Sequence, residues 1–392
     1  MRRTMLLMGL MSGVLAAGTG VCRAVEASAA ANALAPASIF EAKDFPDPEP
    51  GKPAWKGDAW YSGICVFDKW VYAVSPAGYV LQFERDPVTA KMEYRGATPF
   101  GFSPDGDSGV NNAFTRKASD GGTLLYFEFG NHQPHNLAWY SLDKKTGKPA
   151  FKGKQAPVAG HTWWCYHYVP VTDRIYGMVG RGDKQPLASR HFDASGATVE
   201  DGRVATLGRS NFGWLVASSD GRNVYQVNGK TVDAYTFDAK TGAMTYLASV
   251  EAGSGNDYIS PVSPDGRHVY LFGGYKSGGP LTVLARDPEK GTLSVVTSGA
   301  ADPKFNGLPS VEWNRHCRFV FRADGKSGAF TAGTGLFGCA GMVGTFTRDP
   351  ATGALTVGAT AAAIPLGAAH VVVDPITGQL FTVGEKIASF KR

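Results

Sequence analysis

The sequence predicts an all-β protein, a seven-bladed β-propeller with four antiparallel strands per blade, whose last blade is closed by a strand from the N-terminus. Three observations predict it. A polar turn between short apolar runs returns seven times, a second turn follows it in six of the seven units, and the final unit has no room for a fourth strand.

The first turn stands at Asp68-Lys69, Asp120-Gly121, Asp173-Arg174, Asp220-Gly221, Asp265-Gly266, Asp324-Gly325 and Thr377-Gly378. The spacings are 52, 53, 47, 45, 59 and 53 residues. After most of these turns comes a β-rich run: WVYAV, LLYFEF, RIYGMV, NVYQV, HVYLF and QLFTV. Periods of about 40 to 50 residues with several strands each are the signature of a blade array.

The second turn begins at Asp86, Asp143, Asp193, Asp238, Asp287 and Asp349, which lie 18, 23, 20, 18, 22 and 25 residues after the first. Several read Asp-Pro and most close on Gly, as in RDPVTAK and RDPATGA. Asp bonds its own backbone, Pro presets φ and Gly accepts a positive φ, so each is a turn with a mechanism. One unit therefore reads strand A, turn, strand B, loop, strand C, turn, strand D. The seventh unit ends at Arg392 after LFTV and KIASF. An unpaired sheet edge invites aggregation, so a segment near Ile39 to Ala42 is expected to supply the missing outer strand.

With 392 residues, 50 Gly and 23 Pro, the chain suits one turn-rich ring without an internal domain boundary. Residues 1–29 read as a secretory signal peptide: Arg2 and Arg3, then an apolar run from Met5 to Ala17, then Ala27-Ser28-Ala29 as a small-residue cleavage site. That run is too short to span a membrane. The expectation is an exported protein, periplasmic or extracellular, with residues 30–36 a disordered lead-in and 37–392 a single propeller domain. Cleavage after Ala29 leaves 36 basic against 33 acidic residues, a net charge of +3. The remaining charges read as interspersed, without a basic tract, which gives nucleic-acid binding no electrostatic support.

Four cysteines follow that cleavage site: Cys65, Cys165, Cys317 and Cys339. Cys317 falls at the start of strand A of blade six and Cys339 in its B–C loop, which emerge on one face; they are the expected disulfide in an oxidising compartment. Cys65 and Cys165 lie in blades that are not neighbours and are expected as small buried hydrophobes. No Cys or His spacing points to zinc or haem, so neither metal nor cofactor is expected.

In such a ring the D–A connections and B–C loops converge on one face around the central channel, the default place for a ligand. Five of the eight histidines map there: His132, His135, His161, His316 and His370. Glu312, Arg315, Arg181, Trp163, Trp313 and Tyr275 map there too. Trp faces pack on sugar-like rings, while Arg and His bind carboxylates or polarise a carbonyl, so the expected ligand is a small sugar-like or carboxylate molecule.

The RDPxTGxL turns, the DGRxVY turns and the count of seven units resemble the bacterial lactonase family of seven-bladed propellers, which includes 6-phosphogluconolactonase-like and muconate-cycloisomerase-like members. The resemblance covers about residues 60 to 392 and implies the fold. That family carries Pro-Arg-His at a blade start, then Asn-Glu, then Asn-Arg in a later blade. Here the fifth blade starts Asn256-Asp257-Tyr258-Ile259-Ser260, and Asn314-Arg315-His316 keeps an Arg-His pair at a strand entry, in a shifted blade. Two functions follow as expectations. The first is a lactone hydrolase acting on an unphosphorylated sugar or aromatic-derived lactone, with His316 or His370 as general base, Arg315 facing the oxyanion and Glu312 orienting a His or water. The second is a non-catalytic exported propeller, in which His132, His135, His161, Arg181, Trp163, Trp313 and Tyr275 contact a glycan or protein partner.

Overall fold

The computed structural model describes residues 34–55, 63–75, 77–102, 110–129, 136–155, 163–179, 186–204, 215–252, 258–272, 281–297, 318–332, 342–360 and 370–391. These residues form seven antiparallel sheets of four strands and one 3-10 turn, Ala42–Asp44. Strand β1 is Pro36–Phe40. Blade 1 is β2 (Gly63–Phe67), β3 (Trp70–Ser75), β4 (Tyr79–Arg85) and β5 (Met92–Pro99). Blade 2 is β6 (Val110–Lys117), β7 (Thr123–Phe129), β8 (Asn136–Leu142) and β9 (Pro149–Lys154). Blade 3 is β10 (Trp163–Val169), β11 (Arg174–Val179), β12 (Leu187–Phe192) and β13 (Thr198–Val204). Blade 4 is β14 (Leu215–Ala217), β15 (Asn223–Asn228), β16 (Thr231–Phe237) and β17 (Met244–Glu251). Blade 5 is β18 (Tyr258–Ile259), β19 (His268–Phe272), β20 (Thr282–Arg286) and β21 (Leu293–Thr297). Blade 6 is β22 (Arg318–Phe321), β23 (Ser327–Ala332), β24 (Met342–Arg348) and β25 (Leu355–Thr360). Blade 7 is β26 (His370–Val373), β27 (Leu380–Val383) and β28 (Ile387–Phe390), with β1 as its outer strand.

Both ends of the chain thus meet in blade 7, as the missing fourth strand predicted. Pro36 pairs with Phe390, Ile39 with Ala388 and Phe40 with Ile387. The strand begins three residues before the expected segment and ends at Phe40, because Glu41 opens the 3-10 turn. Pro36 lies in this strand and Leu34 packs on the cluster between blades 6 and 7, so the end of the expected lead-in belongs to the folded body. The inner strand β26 lies against both β2 and β22, which closes the ring.

The described core divides into seven apolar clusters, one at each junction between adjacent blades. A short contact crosses four of these junctions in the same way. Tyr72, Tyr126, Tyr225 and Tyr270, each in the second strand of its blade, are fully buried. Their hydroxyls donate to the carbonyls of Gly147, Gly196, Gly291 and Gly353 in the next blade, at 2.7, 2.9, 3.0 and 2.9 Å. Each of these glycines closes the second recurring turn and has a positive φ. The two marks that repeat in the sequence are therefore two halves of one inter-blade contact. A Cβ on Gly353 would lie 2.5 Å from the His268 ring, so the close approach also requires glycine.

Three junctions, two of which carry this contact, bury a guanidinium from the end of the third strand. Arg348 donates to the Tyr270 hydroxyl, to Asp265 and to the Gly325 carbonyl. Arg286 repeats the pattern with Tyr225, Asp220, Asn223 and Gly266. Arg85 reaches Asp374 and Gln379 of blade 7 and the Asp68 carbonyl of its own blade.

Candidate functional site

The candidate site is the end of the ring where the inner strands begin. The described groups at this rim are the first residues of those strands, the connection from Glu41 to Trp55, and the B–C turns of blades 1, 4 and 7. His370 opens β26, pairs with Val383 across the hairpin and is half-buried. Trp163 opens β10 opposite Val179. The other expected site residues, Glu312, Arg315, His316, Trp313, His132, His135, His161, Arg181 and Tyr275, lie outside the described residues, as do Cys317 and Cys339.

Blade 7 holds this rim together from two sides. The indole of Trp55 is fully buried in the cluster between blades 7 and 1, and its Nε1 donates to the Glu385 carbonyl at 3.2 Å. Glu41, leaving β1, takes Lys386 at 2.8 Å and Lys43 at 2.9 Å. Hydrogen bonds from Lys386 and then Lys43 hold the Glu41 carboxyl down at about 2. The turn that follows β27 is thereby fixed beside His370 by the connection that leads toward blade 1. An aromatic anchor and an ion pair thus hold the turn that follows the strand partner of His370.

Blade 4 contributes a polar depression of about 400 Å³, open to solvent and lined by Asn228, Gly229, Lys230, Thr231 and Glu251. Below it, Asp233 is fully buried and accepts hydrogen bonds from Asn228 Nδ2 at 2.8 Å and Ser249 Oγ at 2.5 Å. Sequence reading passed over this turn; Asn228-Gly229 between two apolar runs is a hairpin signal, which is how it was legible and why it drew no functional weight.

The three histidines that the sequence placed elsewhere are all described. His268 is buried between blades 5 and 6, where Arg348 Nη2 lies 2.5 Å from its Nδ1, so this nitrogen is an acceptor and the ring is neutral. Desolvation, then the Arg348 charge, lowers its pKa. His191 sits on blade 3, half-exposed, with Nδ1 2.6 Å from Asp201, whose other oxygen takes Arg174. His167 lies on the inner strand β10, opposite Tyr176, and desolvation lowers its pKa to about 4. A neutral imidazole on an inner strand is a feature that sequence reasoning set aside. The register of β10 shifts between Trp164 and His167, which breaks the alternation that would have aimed it.

Cys65 behaves as expected. It is buried and free, and burial pushes its thiol up to about 12. Its partner in that expectation, Cys165, has no described side chain.

No family profile matches the sequence, and no curated protein matches it either. Solved structures do. A periplasmic gluconolactonase of Pseudomonas aeruginosa has a TM-score of 0.55 at 16% identity, over 76% of this chain and 84% of that one. A putative 6-phosphogluconolactonase of Bacteroides uniformis has 0.52 at 18%, over 75% and 83%. The chain shares the seven-bladed propeller fold of these 6-phosphogluconolactonase-like proteins. Yeast Sqt1 reaches the same 0.55 at 11% identity, over 92% and 99%. At such identities the likeness carries architecture, and the chemistry must come from side chains.

Proposed function

We propose that the protein is an exported lactone hydrolase acting on an unphosphorylated sugar or aromatic-derived lactone. The observation that carries the reading is the shared fold, over about three-quarters of the chain, with two proteins named for gluconolactone chemistry. His370, which opens β26 at the rim opposite Val383, is the described residue best suited to serve as general base. Arg315 and His316, an Arg-His pair at the expected entry to blade 6, complete the proposed site with Glu312. In the reaction the base takes a proton from water as the oxygen attacks the lactone carbonyl. Arg315 faces the developing oxyanion, the ring C–O bond breaks, and the freed alkoxide is protonated to give the hydroxy acid. Export is supported by the charged, apolar and small-residue order of residues 1–29 and by the periplasmic naming of one structural neighbour.

The test is hydrolysis of a panel of sugar and aromatic-derived lactones by the purified protein, beside Arg315→Ala, His316→Ala and His370→Ala. Loss of an oxyanion donor or a general base lowers kcat by about 10²- to 10⁴-fold. An inactive protein, or a rate that all three changes leave alone, defeats the reading. The start of blade 5 favours the second reading, a binding propeller, because Asn256-Asp257-Tyr258 stands where the related enzymes carry Pro-Arg-His. Ligand binding that survives all three changes, without turnover, supports it.

A further inference from the structure

The charges of this chain are less evenly interspersed than a first reading of the sequence implies. Lys144, Lys145, Lys148, Lys152 and Lys154 fall within eleven residues that hold no acid, directly after Asp143, and all five are exposed. Among the described residues, no carboxylate forms an ion pair with any of the five. Lys152 and Lys154 lie on β9, the outer strand of blade 2, and the other three on the turn that leads into it. No other outer strand carries an excess of basic residues, and β17 carries a single acid, Glu251. In β5, Glu93 pairs with Arg95; in β13, Glu200 pairs with Arg203; β21 and β25 carry no charged residue.

The turn beneath these lysines is rigidly placed. The Asp143 carboxylate accepts from the Lys145 and Thr146 amides and from the Thr146 hydroxyl. Blade 1 then grips the same turn, through Tyr72 on the Gly147 carbonyl and Gln82 on the Thr146 carbonyl. Along the strand, the Phe151 ring packs on Phe102 and Tyr140, and the Lys154 ammonium lies 5.0 Å from the Phe102 ring centroid. Six strand residues at about 3.3 Å each give a row about 20 Å long. Uncompensated like charges on a fixed backbone create a local positive potential that draws an anionic partner.

We propose that the outer edge of blade 2 binds an acidic polysaccharide laid along β9, its carboxylates meeting the lysine row. A narrow strand edge on the convex outside of a ring matches a linear chain better than a flat membrane. The cations are all lysines, point charges without the planar fork, and the one aromatic ring is engaged by Phe102 and Tyr140 rather than free to stack a base. Both features favour glycan carboxylates over nucleic acid.

Alginate is the probe, measured with the whole protein at about 0.15 M salt, beside a neutral glucan, duplex DNA and phosphatidylglycerol vesicles. The variant replaces Lys144, Lys145, Lys148, Lys152 and Lys154 by Gln. A control replaces Lys91, Lys240, Lys290, Lys326 and Lys391, which are also exposed, and so removes the same charge elsewhere. The expected result is alginate binding that falls at least tenfold in the first variant, changes less than threefold in the control, and weakens with salt. Equal melting temperatures of the variants show that the fold is kept. No alginate binding, equal losses in both variants, or tighter binding of DNA or vesicles overturns the proposal. The outcome is independent of lactone turnover.

Discussion

Two kinds of junction hold this ring, and they differ at one position, the residue before the turn that ends the third strand of each blade. At the junctions 7/1, 4/5 and 5/6 it is Arg85, Arg286 or Arg348; at 1/2, 2/3, 3/4 and 6/7 it is Leu142, Phe192, Phe237 or Phe390. Each buried arginine meets a polar residue of the preceding blade, Gln379, Asn223 or His268, and an aspartate beyond it, Asp374, Asp220 or Asp265. Phe192 is covered from outside, by Arg116, which stacks 4.3 Å from its ring centroid and forks onto Asp173. The Tyr–Gly contact crosses both kinds. The lesson is that the turn and the tyrosine set the approach of the blades, while the space below can be filled by a satisfied charge or by apolar volume. What it does not tolerate is a charge with one partner removed.

The junction 7/1 is both arginine-latched and the place where β1 closes the ring, so breaking it has the largest expected effect. Removing the chain through Phe40 bares the edge of β28. The truncated protein is expected to lose its cooperative melting transition or to aggregate, as read by calorimetry and light scattering. An unchanged transition would show that the ring is held by its inner strands alone.

Asp374→Ala comes next. Both members of its pair with Arg85 are almost fully buried, so the change strands a guanidinium and should cost about 3–5 kcal/mol in denaturant unfolding. The double change Arg85→Leu with Asp374→Ala turns this junction into the apolar kind. It should recover a large part of the loss; a double variant as unstable as the single one contradicts the equivalence of the two designs.

A smaller pair of variants separates the designs directly. Tyr270→Phe removes both the donor to Gly353 and the acceptor of Arg348 Nε, for about 2 kcal/mol, whereas Tyr72→Phe at an apolar junction removes the bond to Gly147 alone, for about 1 kcal/mol. Equal losses would place the Arg348–Tyr270 bond outside the energetics of the latch.

The smallest effect is with pH. His268 and His167 have lowered pKa values in the fold, so they disfavour the protonated folded state. The contribution of both is complete above the unfolded value of about 6.5 and declines as pH falls below it, for His167 toward about 4. At Asp265, burial raises the pKa, but Ser263 and Arg348 outweigh it and hold the carboxyl low; its contribution is lost only below about 3.9. The melting temperature should therefore begin to fall near pH 6.5, and His268→Gln should flatten the upper part of that fall. A profile flat from pH 7 to 4.5 would contradict the neutral, arginine-bound His268.

The site was less legible than the fold. His370 was placed correctly at the start of an inner strand because its position follows from counting units. His167 lies further down its strand, as the sequence implied, but the register irregularity before it is set by its neighbours and not by the pattern WWCYHYV. The lysines of blade 2 were visible as letters, yet their meaning depends on the absence of nearby carboxylates on adjacent strands. That is a property of the assembled edge.

By itself the sequence determined the number of blades, the turns that separate their strands and the pairing of the two chain ends. Those depend on local rules: Asp on its own backbone, Gly at positive φ, and an edge strand that needs a partner. Only the tertiary structure decided which junctions bury a charge and which histidines are neutral, because those partners are far apart in the chain. Arg348 finds Asp265 across 83 residues, and no local pattern encodes that meeting.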